Sequence, residues 1–502
     1  MKIKELFNLL SNFSEEYSNE FKKYLNSPYL VNNKALYKIY AEILNNLDLL
    51  INSEYEKLIK KLSKKLRLSN STVIQRLSNL NKEVLKFYKI KSFLSDVEYS
   101  ELSLNEYLLK NKNFNVLEKN LEKTNDLIYS SNKISDKHYW NSFNFHVLSC
   151  EFITNNVRFV DNINADNIHP HIYNGSLDLS LYCLIQQINL FVYNFSLNIG
   201  TGNYQKYHFP INIYKLLDEI DRTNLFNRPP ERKIIYDLYK MLFFTYYKRE
   251  DSENFINYKN CFNNTKYLLN KELINFHFNQ LINYCIMKAR LGEDKDFYLR
   301  QKAELLNEFV EQGYFNINNK EFLHATTYRN FILSAFSIGN FDLLKYFIDN
   351  NTSKLNTNDY NDMMNFGLIY YYYGMKNYDK VWECKKNIEV NNFIYRFDIR
   401  NIVLRIYFET GEYDKLLDSI HNYKKSIMDD KILNKSNKDS LYKLLKYLNK
   451  LIIIINNPNL NLQEETKFLF NLVEKEPTFA LKKWLLEKLF DLSKSVKEEM
   501  TV

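Results

Sequence analysis

Apolar side chains recur every three or four positions along most of this 502-residue chain, the interval at which an α-helix turns one face toward a core. The stripe Val73, Leu77, Leu80, Val84 and Phe87 predicts one helix running on to about Leu94. Leu481, Trp484, Leu485, Leu489 and Leu492 form another, with Lys482, Lys483 and Glu487 opposite, as suits a helix that closes the end of a helical stack. Residues Gly367 to Gly374 read GLIYYYYG, apolar on every side, which predicts a helix enclosed by neighbours. Punctuation is scarce. The 9 Gly and 7 Pro are too few for the turns of a β-sandwich, a barrel or a Gly-loop enzyme. The expectation is an all-α protein of roughly 70% helix, well above the ~30–35% of ordinary globular chains.

Loop signals fall at residues 196–212, at Arg228-Pro229-Pro230, at 350–359 and at 456–459. The two prolines mark the softest boundary, because each restricts the backbone and halts a helix. On that basis residues 1–130 form an N-terminal helical region, 131–230 a second helical region, and 231–502 a run of repeats with its capping helix. Pro229-Pro230 equally suits an ordinary turn between helices.

The repeats show as a period. Three segments carry a helix, a glycine, and then an aromatic-Asp pair opening a second helix: Tyr328 to Gly339 with Phe341-Asp342, Met363 to Gly374 with Tyr378-Asp379, and Arg400 to Gly411 with Tyr413-Asp414. The glycines lie 35 and 37 residues apart and the aromatics 37 and 35. A degenerate fourth copy runs from Leu281 through Cys285 to Gly292 and Phe297.

The middle copy resembles the tetratricopeptide repeat (TPR), whose period is about 34 residues. Met363, Phe366, Tyr370 and Tyr371 match its large packing positions, Gly367 its small position, and Gly374 a left-handed helix cap. Tyr378 opens the second helix two residues later than in the family, and Leu344, Val381 and Leu416 stand where a second small residue is usual. Further blocks, EFKKYLNSPYLVNN (Glu20 to Asn33), Ser71 to Leu94, Leu177 to Asn194 and Leu281 to Phe297, resemble in order an uncharacterised family of bacterial helical-repeat proteins over nearly the whole chain. The two resemblances imply a helical-hairpin, TPR-like α-solenoid of bacterial origin. That family has no established activity or catalytic residues to carry over.

Charge changes the picture in one place. Residues 57–91 hold eleven Lys or Arg against a single acid, Glu83, so the segment carries +10 while the whole chain carries only +8. Abundant Asn, Lys, Ile, Tyr and Phe together suggest A·T-rich coding, which enriches lysine without selection for binding. Lys57, Lys60, Lys61, Lys64 and Lys65 share one helix face opposite Leu58, Ile59, Leu62 and Leu66. Residues Leu66 to Val73 then resemble the turn and second helix of a helix-turn-helix, with Ser69 as N-cap. Arg67 in place of the usual turn glycine, and a second helix longer than a recognition helix, count against that resemblance. Nucleic-acid binding through Lys57, Lys61, Lys64 and Arg76, or contact with an acidic protein or membrane surface, is the alternative to a merely solvated face.

Other chemistry is thin. The five cysteines are scattered, without a CxxC pair, which argues against a disulfide framework or a thiolate zinc site and fits a reducing, cytoplasmic setting. Cys150, Cys183, Cys285 and Cys384 read as small core side chains. His169-Pro170-His171, with Asp161 and Asp166 nearby, reads as a polar loop rather than a metal site, and Gly200-Thr201-Gly202 as a turn rather than a phosphate cradle. Asp342, Asp379 and Asp414 suit the first turn of a helix, where the dipole favours negative charge. No Ser/His/Asp or Cys/His arrangement can be assembled from spacing, and no run approaches a membrane span.

These readings lead to a non-enzymatic scaffold, without cofactor, that binds a protein or peptide on a concave face. In a TPR-like stack the first helix of each pair lines that face. The geometry places Arg329 in the first copy, Met364 and Tyr372 in the second, and Asn401 and Arg405 in the third on the groove wall, although Met364 and Tyr372 equally suit the core. The alternative is a DNA-binding regulator in which the basic segment holds nucleic acid and the repeats sense a peptide or mediate assembly.

Overall fold

A computed structural model describes residues 2–11, 13–46, 54–130, 133–156, 165–201, 212–292, 294–317, 322–388, 395–433 and 435–494. Helix accounts for 82% of them, in 23 α-helices, with no strand. Two isolated bridges, Ile134 with Leu269 and Leu323 with Leu355, are the β-type pairing among the described residues. The helices are α1 (Lys2–Ser11), α2 (Glu15–Asn26), α3 (Lys34–Leu44), α4 (Tyr55–Leu66), α5 (Asn70–Ser95), α6 (Val97–Lys110), α7 (Phe114–Ser130), α8 (His138–Asn155), α9 (Ala165–Thr201), α10 (Ile213–Thr223), α11 (Pro230–Tyr247) and α12 (Ser252–Thr265). They continue with α13 (Lys271–Leu291), α14 (Lys295–Glu311), α15 (Ala325–Ser337), α16 (Phe341–Asn351), α17 (Thr357–Gly374), α18 (Tyr378–Lys386), α19 (Arg396–Glu409), α20 (Tyr413–Asp429), α21 (Lys435–Asn456), α22 (Leu462–Lys475) and α23 (Lys482–Lys494).

The chain forms two compact units, one from residues 1–131 and 140–178, the other from 132–139 and 179–502. In the first, α1, α2, α3 and α4 all pack on the long α5. The cause is the stripe read from the sequence: Val73, Leu77, Leu80, Val84 and Phe87 are all buried, with Leu6, Phe21, Ile39, Leu58 and Leu62 against them. A second small core joins α6, α7 and α8 through Leu102, Leu117, Ile128, Phe145 and Phe152.

In the second unit, consecutive helices pair, α11 with α12, α13 with α14, α17 with α18, α19 with α20 and α22 with α23. Contacts also skip one helix, joining α15 to α17 and α17 to α19. The three copies share one turn. After each first helix a backbone N–H reaches back five residues, from Asn340 to the Ala335 carbonyl (3.1 Å), Asn377 to Tyr372 (2.9 Å) and Glu412 to Tyr407 (2.9 Å). That is the Schellman closure, which needs one left-handed residue just before the donor. Gly339 (φ 71) and Gly411 (φ 73) supply it in the outer copies.

The middle copy departs from the expected cap. Gly374 lies inside α17, and Lys376 (φ 55) takes the left-handed position. Glycine is needed at 374 for another reason: a Cβ there would sit 2.1 Å from the Phe341 ring. The same close approach governs Gly367, where a Cβ would lie 2.9 Å from the Ile348 side chain.

Other loop signals resolve as follows. Pro230 is the first residue of α11, the position where a missing N–H costs least. Residues 350–359 shrink to the end of α16, a 3-10 turn at Thr352–Lys354 and the start of α17. The expected loop at 196–212 is helix as far as Thr201, so Gly200 and Thr201 lie in α9, while Gly202 to 211 fall outside the described residues. His169-Pro170-His171 is likewise not a loop. It lies in α9, which runs through Pro170 although that residue forgoes its bond to the Asp166 carbonyl. Asp161 falls outside the described residues. No helix among those searched is long and apolar enough to cross a membrane.

Candidate functional site

The C-terminal unit contains an open cavity of about 910 Å³. Its walls come from α14 (Lys295, Leu299), the ends of α15 and α17 (Phe336, Tyr373, Lys376), α19 (Arg405, Glu409) and α23 (Trp484, Lys488, Phe490). Arg405 and Glu409 are four residues apart on α19 and so share a face. The α23 stripe read from the sequence seats Trp484 beside both, with Leu485 and Leu489 buried beneath it.

Glu409 is saturated. It accepts hydrogen bonds from the Tyr373 hydroxyl (2.9 Å), the Tyr378 hydroxyl (2.8 Å) and Trp484 Nε1 (3.0 Å), and Lys488 Nζ stands 3.3 Å away. Burial pushes its carboxyl up, but the donors Trp484 and Tyr378 and the Lys488 charge outweigh it and hold the pKa below its ordinary value. Burial and the same carboxylate raise the Tyr378 phenol to about 12.

Arg405 has no such partner. Its guanidinium lies 5.8 Å from the Phe336 ring centre, 5.6 Å from Tyr373 and 5.7 Å from Trp484. Nε is sealed from solvent without a hydrogen-bond acceptor among the described residues. A cation held among three ring faces gains about 0.5–2 kcal/mol per good contact, which offsets only part of its lost hydration. Arg400, five residues earlier on α19, also has a buried Nε without an acceptor among the described residues, beside a hollow lined by Asp429 and Asp430, the latter paired with Arg396.

The other groove candidates lie elsewhere. Arg329 on α15 forms a two-pronged ion pair with Asp398 on α19, through Nε to Oδ2 and Nη2 to Oδ1 (3.0 Å). Burial holds the Asp398 carboxyl above its ordinary value, and Arg329 offsets only part of that rise. Asn401 accepts a hydrogen bond from the Tyr423 hydroxyl at 3.0 Å. Met364 and Tyr372 are half-buried on α17, and the Tyr372 ring lies 5.0 Å beneath Lys380. Arg405 alone of the five lines the cavity.

On the N-terminal unit, Lys57, Lys61 and Lys64 are exposed along α4, and Arg76 is half-buried on α5. Lys57 pairs with Glu54 at 2.9 Å, whereas Lys61, Lys64 and Arg76 have no ion pair among the described residues. The turn has the expected form: Arg67 is left-handed (φ 52), and the Ser69 hydroxyl accepts from the Thr72 N–H at 3.2 Å. Glu83, the one acid of the segment, is engaged by the Tyr24 hydroxyl (2.8 Å) and Lys86 (2.8 Å).

The same unit holds a polar cluster that spacing could not reveal. Ser142 donates to Asp178 (2.6 Å), Tyr129 bridges Ser142 (2.5 Å) and His146 (3.0 Å), and His146 Nδ1 lies 3.0 Å from His171 Nδ1. The residues come from α7, α8 and α9, up to 49 positions apart. Gly175 makes room, since a Cβ there would stand 3.1 Å from the His146 Cβ. A nucleophilic serine hands its proton to a histidine; here the hydroxyl points at the carboxylate. Burial lowers the His171 pKa.

Of the cysteines expected in the core, Cys285 and Cys384 are buried, Cys150 is half-buried and Cys183 is exposed. Desolvation raises the Cys285 and Cys384 thiols, the opposite of activation. Among the described residues, no group of three or more His, Cys, Asp or Glu side chains converges as a metal site would require. Comparison with protein-family models, with curated proteins and with solved structures finds no match for this chain.

Proposed function

We propose that this protein is a TPR-like helical-repeat scaffold, working in the cytoplasm, whose C-terminal unit binds a protein or peptide on the face lined by the first helices of its repeats. One observation carries the reading. Helices α15, α17 and α19, the first helices of three copies with a common turn, each send a side chain to one cavity, Phe336, Tyr373 and Arg405. Stacked hairpins of this kind present such a surface because each repeat contacts its neighbours and leaves one face free. A cavity with an aromatic wall and a few fixed polar groups is the usual form of a recognition pocket.

Purification of the tagged protein with its partner, followed by Arg405→Ala and Phe490→Ala, tests this. Both variants should fold with nearly unchanged melting temperature and lose the partner. Retention of the partner by both would place binding elsewhere.

A second reading, a DNA-binding regulator, is supported by the left-handed Arg67 and the capping Ser69 in the turn between α4 and α5, beside the basic face of α4. The 26-residue length of α5 and its burial along Val73 to Phe87 weigh against it.

A further inference from the structure

The cavity around Arg405 is lined by six cationic side chains, Lys295, Lys376, Arg405, Lys482, Lys483 and Lys488, against three carboxylates, Asp296, Glu409 and Glu487. Inside protein, a cation without a counter-charge is costly, and the cost is relieved by pairing or by a ligand. The acid one turn away cannot serve, because Glu409 is committed to Tyr373, Tyr378, Trp484 and Lys488. Asp296, across the cavity, faces Lys483 at 3.8 Å. The rim adds Lys295, Lys376 and Lys482 against the single acid Glu487, so the approach is positive on balance. Apolar surface continues from the guanidinium over Phe336 and Trp484 to Phe479 and the exposed Phe490.

We propose that this cavity recognises a peptide carboxylate flanked by an apolar side chain, with Arg405 as the anchor. The assignment rests on the scaffold reading and specifies what the scaffold holds. The guanidinium is planar, and its free edge presents donors in the fork that a carboxylate fills. A phosphate would call for further converging donors, and Lys488 is already held by Glu409. The three rings fix the guanidinium before the ligand arrives, so little side-chain freedom remains to be lost on binding. The chain terminus and an acidic side chain offer the same chemistry.

Three fluorescein-labelled hexapeptides separate these sources by anisotropy titration on the full chain: AAAALF with a free C-terminus, its C-terminal amide, and AAELFA amidated. Millimolar 3-phenylpropanoate serves as competitor and 3-phenylpropanamide as its control. The expected result is saturable binding of at least one carboxylate peptide, at least tenfold weaker for AAAALF amide, with displacement by the acid only. Arg405→Met should abolish binding, and Arg405→Lys should retain part of it because the charge remains while the fork is lost. Preference for the free C-terminus or for the internal Glu identifies the source.

Binding of AAAALF amide as tight as that of the better carboxylate peptide, unchanged binding by Arg405→Met, or no binding of either carboxylate peptide would overturn the proposal. Trp484→Phe, which keeps a ring but removes the Glu409 hydrogen bond, provides a second folded variant and should weaken binding less than Arg405→Met. A natural partner that stays bound to Arg405→Met, yet is lost on Phe490→Ala, would refute the carboxylate anchor while leaving the scaffold standing.

Discussion

On the N-terminal unit, Lys60, Lys61, Lys64 and Lys65 stand in solvent without an ion pair among the described residues. In the C-terminal unit, Arg405 likewise forms no ion pair among the described residues, but its Nε is closed off from water. Both are unpaired cations, and the difference is solvation. Water solvates the ammonium groups and salt screens them, so leaving them unpaired costs almost nothing. The guanidinium has exchanged part of its hydration for ring faces, and that exchange needs a reason. Unpaired charge therefore points to a ligand only where burial makes it expensive, and the most basic stretch of the sequence is the weaker indicator of the two.

The comparison breaks most readily at Arg329, the paired counterpart of Arg405. Arg329→Met strands the buried Asp398 carboxylate and should cost about 3–4 kcal/mol by denaturant unfolding, with Asp398→Leu in the same chain restoring most of it. If Arg329→Met is silent, burial does not set the cost of charge here and the argument for Arg405 falls with it.

Next in size is a proton. His277 on α13 is fully buried against Tyr239, Tyr258 and Phe262, and desolvation pushes its pKa down to about 3. The unfolded chain binds that proton near the ordinary ~6.5, and the folded chain does not until far lower pH. Stability should therefore fall as pH drops below about 6.5, by ~1.4 kcal/mol per unit at most, or about 2–3 kcal/mol at pH 4.5. Unfolding curves of His277→Phe should lose that part of the slope; an unaltered slope would assign the acid sensitivity to other groups.

Smaller still is the effect of Arg405→Met on stability. Removing an unpaired cation and keeping its volume should leave the free protein within ~1 kcal/mol of wild type, several-fold less than at Arg329. Least of all is the effect of replacing Lys57, Lys61, Lys64 and Arg76 by Gln. Stability should shift by no more than ~0.5 kcal/mol, and duplex DNA at low salt should show no gel shift with either protein. A steep, salt-dependent shift that the four replacements flatten would instead revive the regulator.

Much of this architecture could be read from spacing. The α5 stripe, the α23 stripe and the turns at Gly339 and Gly411 are local patterns, and local physics decides them. Gly374 shows where that reading stops. Left-handed caps and close approach both select glycine, and only the Phe341 ring above it tells the two apart. Arg405 was reachable from the period of the repeats, but its setting was not, because Phe336, Tyr373 and Trp484 arrive from three other helices. The Tyr129, Ser142, His146, His171 and Asp178 cluster had no signal in the sequence for the same reason: no fixed interval links its members.

The Phe341 ring over Gly374 also bears on how such a chain can change over generations. Phe341 opens the second helix of one copy and fills the space left by a missing Cβ in the next, whereas the residue that stands where Gly374 does in the following copy is Glu409, two positions before its left-handed Gly411, as Gly374 is before Lys376. The joints between copies are thus individually fitted. Duplicating or excising a whole period would leave a Phe341 without its seat, or a Gly374 without its occupant. Inserting or removing such a segment would therefore carry an overpacking or cavity cost at this joint, which a substitution away from Phe341 and Gly374 avoids.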